Sequence, residues 1–198
     1  LYNHVAVAAA NLTEGGNRVV VVDIDGHHGN GTQNIFYDDP RVMYVSWHQS
    51  PHYPNTGRAA ECGGPAALGT TWNIPLPSGA TGDSYRYSLE TFVASAVESF
   101  EPDWMLISAG FDSHRADPLC DLSLTSGDMA DLTADLMTLV PHGRVAALLE
   151  GGYDLNALAD CSAAVVAALG GVKLHPEPPT SGGPGRPFVD SAMDVRAR

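Results

Sequence analysis

The residues best suited to chemistry sit in four polar loops, each following a short apolar run. Arg18–Ile24 (RVVVVDI) leads into DGHHGNGTQ, and Val42–Trp47 (VMYVSW) into HQSPHYPNTGR. Asp103–Ala109 (DWMLISA) leads into GFDSHRADPLCD, and Arg144–Leu149 (RVAALL) into EGGYD. Of the 8 histidines, His27, His28, His48, His52 and His114 all fall in these loops. Asp23, Asp25 and His27 are spaced two apart. If the extended form persists past the strand, that period points all three to one side. A carboxylate beside an imidazole suits a divalent metal, although the pair alone reads more readily as a hydrogen-bonded turn with a packed histidine. Gly26, Gly29 and Gly31 favour the metal reading, because glycine lets the backbone approach a bound group closely. Asp112 as a third ligand would leave a coordination position open, the catalytic arrangement for zinc. Taken alone, Asp112 and Asp117 read as loop caps. Gly151-Gly152 before Tyr153 allows a mobile loop to carry a phenol toward a reacting carbonyl. The plainer alternative is a tight turn with Tyr153 at the surface.

These loops need a scaffold that delivers them to one edge. The four apolar runs are β-branched and unbroken, as expected of strands buried on both faces. Helical patterns occupy Val5–Leu12, Thr32–Tyr37, Ser84–Phe100, Ser126–Val140 and Asp154–Leu169, with Ser126 and Asp154 as candidate caps. Strand alternating with helix predicts an α/β fold, a mostly parallel sheet covered on both faces in three layers. Ligands then bind beyond the carboxyl ends of the strands, where the four loops lie.

Composition narrows the function. Lys+Arg number 10 against 23 Asp+Glu, a net charge of −13. A dedicated nucleic-acid binder needs basic clusters that are missing here, and adhesion to anionic membranes is equally disfavoured. No apolar run approaches the ~20 residues of a membrane span. Three cysteines without Cys-x-x-Cys spacing argue against a disulfide framework and for a reducing, cytoplasmic compartment. Residues 1–172 read as the folded body. Residues 173–198, containing HPEPPTSGGPGRP, read as a disordered Pro/Gly-rich tail or linker.

Three motifs occur in order: D-x-D-x-H-H-G-N-G-T-Q (Asp23 to Gln33), S-A-G-F-D-x-H-x-x-D-P-L (Ser108 to Leu119), and L-E-G-G-Y (Leu149 to Tyr153). Together they resemble the histone deacetylase family with its acetylpolyamine and acetoin-utilisation relatives, over Tyr2 to about Gly171. Asn30 and the Leu-Glu-Gly-Gly-Tyr wording are more similar to the class II branch. The resemblance implies the arginase/deacetylase-like fold and a Zn2+ ion held by Asp25, His27 and Asp112; Fe2+ or Co2+ would suit the same donors. It implies a Tyr153 hydroxyl that donates to the oxyanion, and removal of acetyl groups from protein lysines or from small acetylated amines. Asp23 would orient a histidine. With His28, Ser46 and Trp47, it would also stand behind the metal or around a structural K+. Tyr53, Leu119, Gly151 and Gly152 would wall the substrate tunnel, and leucine at position 119 favours acyl-lysine over polyamines.

One departure is serious. In this family the general base is the first of two adjacent histidines, well before the Tyr-Asn-x-Val-Ala-x-Ala segment, which here is residues 2–8. His27-His28 cannot stand in, because His27 is assigned to the metal. The chain, which begins at Leu1, is therefore read as the carboxyl-terminal portion of a deacetylase domain with its amino-terminal part missing, inactive or impaired alone. Two other readings compete. An arginase-type ureohydrolase needs carboxylates where Gly29 and His114 stand. A non-catalytic binder of acyl-lysine or a protein partner would not need Tyr153. A homo-oligomer is left open.

Overall fold

The computed structural model describes residues 2–196. Five strands form one parallel sheet in the order β3-β2-β1-β4-β5. They are β1 (Val19–Asp23), β2 (Val42–Gln49), β3 (Thr71–Leu76), β4 (Trp104–Ala109) and β5 (Val145–Leu149). The first two helices are α1 (His4–Glu14) and α2 (Asn30–Phe36). Next, α3 (Gly82–Ser88) runs through a π turn (Leu89–Val93) into α4 (Ala94–Phe100). The last three are α5 (Ser126–Met137), α6 (Leu155–Leu169) and α7 (Arg186–Arg196).

Alternation along the central strand divides the core. Val19 and Val21 join Val5 and Ala9 of α1 and Phe36 of α2 on one face. Val20 and Val22 join Leu89, Val93, Met129, Leu132 and Cys161 on the other. Both faces are therefore covered, which explains the unbroken valine run. Burying each such side chain contributes about 1.5–3 kcal/mol. The α/β three-layer expectation holds.

Three elements depart from the sequence reading. β3 was absent from it because TWNIPL carries Pro75, which lacks the amide a central strand must donate; β3 is an edge strand, where proline is tolerated. The segment 173–198, read as a disordered Pro/Gly-rich tail or linker, contains α7, and its residues 197 and 198 lie outside the described residues. Its residues up to 196 are bonded to and packed against the body. Thr180 donates its amide and hydroxyl to Asp128, and the Arg86 guanidinium donates to the Thr180 carbonyl. Val189 and Ala192 of α7 are buried, and Arg196 stacks over Trp72 while donating to the Thr71 carbonyl. A Pro/Gly segment needs no regular structure to be fixed when its backbone is bonded by its neighbours. The cap of α5, finally, is Thr125 rather than Ser126.

At the opposite edge, β5 pairs only with β4 among the described residues. Its residues are partly exposed, Leu149 to 58%.

Candidate metal centre

In-register pairing sets Asp23 level with Ser46 and with Ser108, so the loops after β1, β2 and β4 leave the sheet at one edge. Past Asp23 the extended form ends, and convergence has another cause. The Asp25 amide donates to Asp23 Oδ1 (3.2 Å) and the His27 amide to Asp25 Oδ1 (2.8 Å), two successive local turns. The Gly26 amide donates to Asp112 Oδ1 (2.6 Å), which ties in the loop after β4.

Asp25, His27 and Asp112 each offer one ligand atom within 4.8 Å of the others. His27 Nδ1 lies 2.7 Å from Asp112 Oδ2 and 3.3 Å from Asp25 Oδ1. Hydrogen bonds to Asp112 and then Asp25 raise the His27 pKa from 6.5 to about 10. Burial, offset only in part by its bond to His27, raises the Asp25 pKa. Burial with the neighbouring Asp25 raises Asp23 well above the carboxylate range. Crowded acids around one imidazole are a donor set that a divalent cation fits, since its charge would relieve their repulsion. The Gly151 backbone closes over the group: a Cβ there would stand 2.7 Å from Asp25 Oδ2 and 2.9 Å from Asp112 Oδ2. Only glycine allows that approach.

The remaining residues singled out from sequence are distributed around this group. Tyr153 follows Gly152, whose φ is +123°, and is 56% exposed; burial, then Asp112, Asp25 and Asp117, raise its pKa. Asp23 accepts from the Tyr44 hydroxyl (2.8 Å) and borders a cavity of 320 Å³ shared with Tyr2, Asp25, His27 and Glu150. His28 is held by Thr56 (2.8 Å) and Gln33 (2.9 Å), and the Ser46 hydroxyl pairs with His48 (2.9 Å). Trp47 stacks on Tyr85 in the core with its indole N–H donated to Ser88, which leaves only its carbonyl for any cation. Tyr53 and Leu119 are exposed at the rim, Tyr53 edge-on to His27 at 6.4 Å. Asp117, which taken alone reads from the sequence as a loop cap, lies outside the three-donor group and accepts from two loop amides. His114 turns away toward Glu177 (2.7 Å) and is not part of that group either.

The sequence reading noted His48 and His52 among the loop histidines but gave neither a role. The His52 ring sits 4.9 Å from that of His27, and its Nε2 bonds the Leu119 carbonyl (2.9 Å). The signal was its place in the histidine-rich loop after β2. His48 is buried beside His28 with its pKa lowered to about 3.

A family model described as "Histone deacetylase domain" matches residues 1–169. The chain belongs to the histone deacetylase family. It is 40% identical to a "Probable deacetylase" of Archaeoglobus fulgidus over 167 residues, 82% of this chain and 46% of that one. It is 38% identical to "Histone deacetylase 14, chloroplastic" of Arabidopsis thaliana over 174 residues, covering 85% and 41% respectively. Among solved structures, the HDA15 HD domain superposes with a TM-score of 0.88 at 34% identity, covering 99% of this chain and 55% of that one. The histone deacetylase Clr3 gives 0.87 at 33% identity, over 97% and 34%. The chain thus spans about half or less of the length of these relatives.

Proposed function

We propose that this chain is the metal-bearing, carboxyl-terminal portion of a deacetylase that hydrolyses acyl groups from protein lysines. Small acetylated amines are the less favoured substrates. The observation that carries the reading is the Asp25–His27–Asp112 group at the carboxyl edge of the sheet, roofed by Gly151 and adjoining Tyr153. The three residues would hold a divalent ion, Zn2+ foremost, which when bound supplies Lewis acidity toward an acyl carbonyl and acidifies water. The Tyr153 hydroxyl, a phenol whose pKa burial raises further from its ordinary value, would donate a hydrogen bond where oxyanion charge develops. Tyr53 and Leu119, exposed at the rim, would flank the approach of the acyl arm. Asp23 and Ser46, level with each other beneath the loops, are the side chains best placed for a structural K+ or for orienting an upstream histidine.

The general base would come from a part of the deacetylase domain that this chain does not cover. The 320 Å³ cavity bordered by Asp23, Asp25 and His27 supports that assignment, as do the edge of β5 that is unpaired among the described residues and the greater length of the relatives. No helix among the described residues is long and apolar enough to cross a membrane, and all three cysteines are free. A reducing, cytoplasmic-type compartment is proposed from the sequence alone, whose three cysteines lack disulfide or Cys-x-x-Cys spacing. The test is acetate release by the full-length protein from an acetyl-lysine peptide and, separately, from an N-acetylated diamine. Faster turnover of the peptide is expected; release from neither substrate would overturn the proposal.

A further inference from the structure

Asp117 is buried, yet it makes no ion pair among the described residues. Its carboxylate instead accepts two backbone amides from different loops. Leu119 N–H donates to Oδ1 (2.9 Å), and Tyr153 N–H, on the loop after β5, donates to Oδ2 (2.7 Å). The first is a local turn of the kind aspartate often makes. The second is not local, since it spans 36 positions along the chain.

Its importance follows from what else holds Tyr153. The loop is anchored upstream where Phe111 N–H donates to the Gly151 carbonyl (3.0 Å). Downstream, the Asp154 side chain caps α6 by accepting from Asn156 and Ala157. Between them Gly152 has the left-handed freedom of a hinge, and the Tyr153 ring is largely exposed. Among the described residues, the Asp117 bond is the one hydrogen bond made by the Tyr153 backbone itself. The same carboxylate holds Leu119, whose carbonyl is fixed on its other side by His52.

We propose that Asp117 is a positioning residue: one buried carboxylate holds the Tyr153 and Leu119 amides together, and so sets the phenol against the substrate wall. This rests on the reading of Tyr153 as the oxyanion donor. Amide bonds to a buried carboxylate are charge-assisted and among the stronger ones. Asparagine keeps the shape but turns one acceptor into a donor facing an N–H.

The test uses the full-length, metal-loaded protein carrying Asp117→Asn, with Asp117→Glu as a milder variant and Tyr153→Phe as reference. Asp117→Asn is expected to lower kcat about 10- to 100-fold. KM and metal content should stay within about twofold, and Asp117→Glu should recover part of the loss. Amide hydrogen exchange at Tyr153 and Leu119 should accelerate by a similar factor, while Val20–Val22 of β1 stay protected. A merely structural aspartate would instead speed exchange throughout and lower the metal content. If Asp117→Asn fails to fold, Asp117→Glu carries the same comparison. Unchanged kcat and unchanged Tyr153 exchange, with Tyr153→Phe impaired, would overturn this inference alone. An unimpaired Tyr153→Phe would overturn it together with the reading of Tyr153.

Discussion

Glu177 belongs to the segment whose composition argued for disorder, and it provides a quantitative test of how that segment is held. Its Oε2 accepts from His114 Nε2 (2.7 Å) and from the Ser126 amide (3.2 Å), while Oε1 accepts from Arg115 (2.6 Å). Burial would raise its pKa, but the His114, Ser126 and Arg115 hydrogen bonds outweigh that and bring it from 4.5 to about 2. At ~1.4 kcal/mol per pH unit this displacement is at most about 3 kcal/mol. The side chain is 21% exposed, so solvent screening reduces the contribution to about 1–2 kcal/mol. Because the folded pKa is depressed, the stabilisation is complete above about pH 4.5 and is lost as pH falls toward 2. Glu177→Gln should therefore lower unfolding stability by about 1–2 kcal/mol at pH 7, a fall of about 3–7 °C in Tm. Urea denaturation followed by circular dichroism at pH 7 and at pH 3 or below should show the variant and the parent converging in acid. An equal gap at both pH values, or none at pH 7, would refute the claim that the carboxylate latches this segment to the loop after β4.

Other consequences can be measured independently. Gly151→Ala places a methyl between Asp25 and Asp112 and should weaken divalent-metal binding about 10- to 100-fold, read by equilibrium titration against a chelator. His48, its pKa lowered to about 3 chiefly by burial, should show no imidazole titration by NMR between pH 5 and 8; it also lends stability that declines as pH drops below 6.5. Burial raises the Cys120 and Cys161 thiols to about 12, so maleimide should label the partly exposed Cys62 first and the other two only on unfolding.

The legible parts of the fold were those where burial dictates composition. β1 has an apolar core face on each side and could be read directly from four consecutive valines. β3 could not, because an edge strand is relieved of the amide that Pro75 lacks. The grouping of Asp25, His27 and Asp112 followed from loops leaving one sheet edge, yet the reason given for it was inexact. Local turns, not a continued strand, bring Asp25 and His27 together. The order of the 173–196 segment was illegible for a different reason. It depends on Glu177 and Thr180 meeting His114 and Asp128, partners 63 and 52 positions away, which no local pattern encodes. The role of Asp117 was hidden likewise, since its second bond crosses to another loop.

The most direct test of the account is acetate release from an acetyl-lysine peptide by the full-length protein, first stripped of metal and then titrated with Zn2+. Activity should be absent at the start, rise linearly, and reach its plateau at one equivalent per chain, with Asp112→Asn failing to recover. Undiminished activity after stripping, or a plateau only at two equivalents, would contradict a single metal centre built on Asp25, His27 and Asp112.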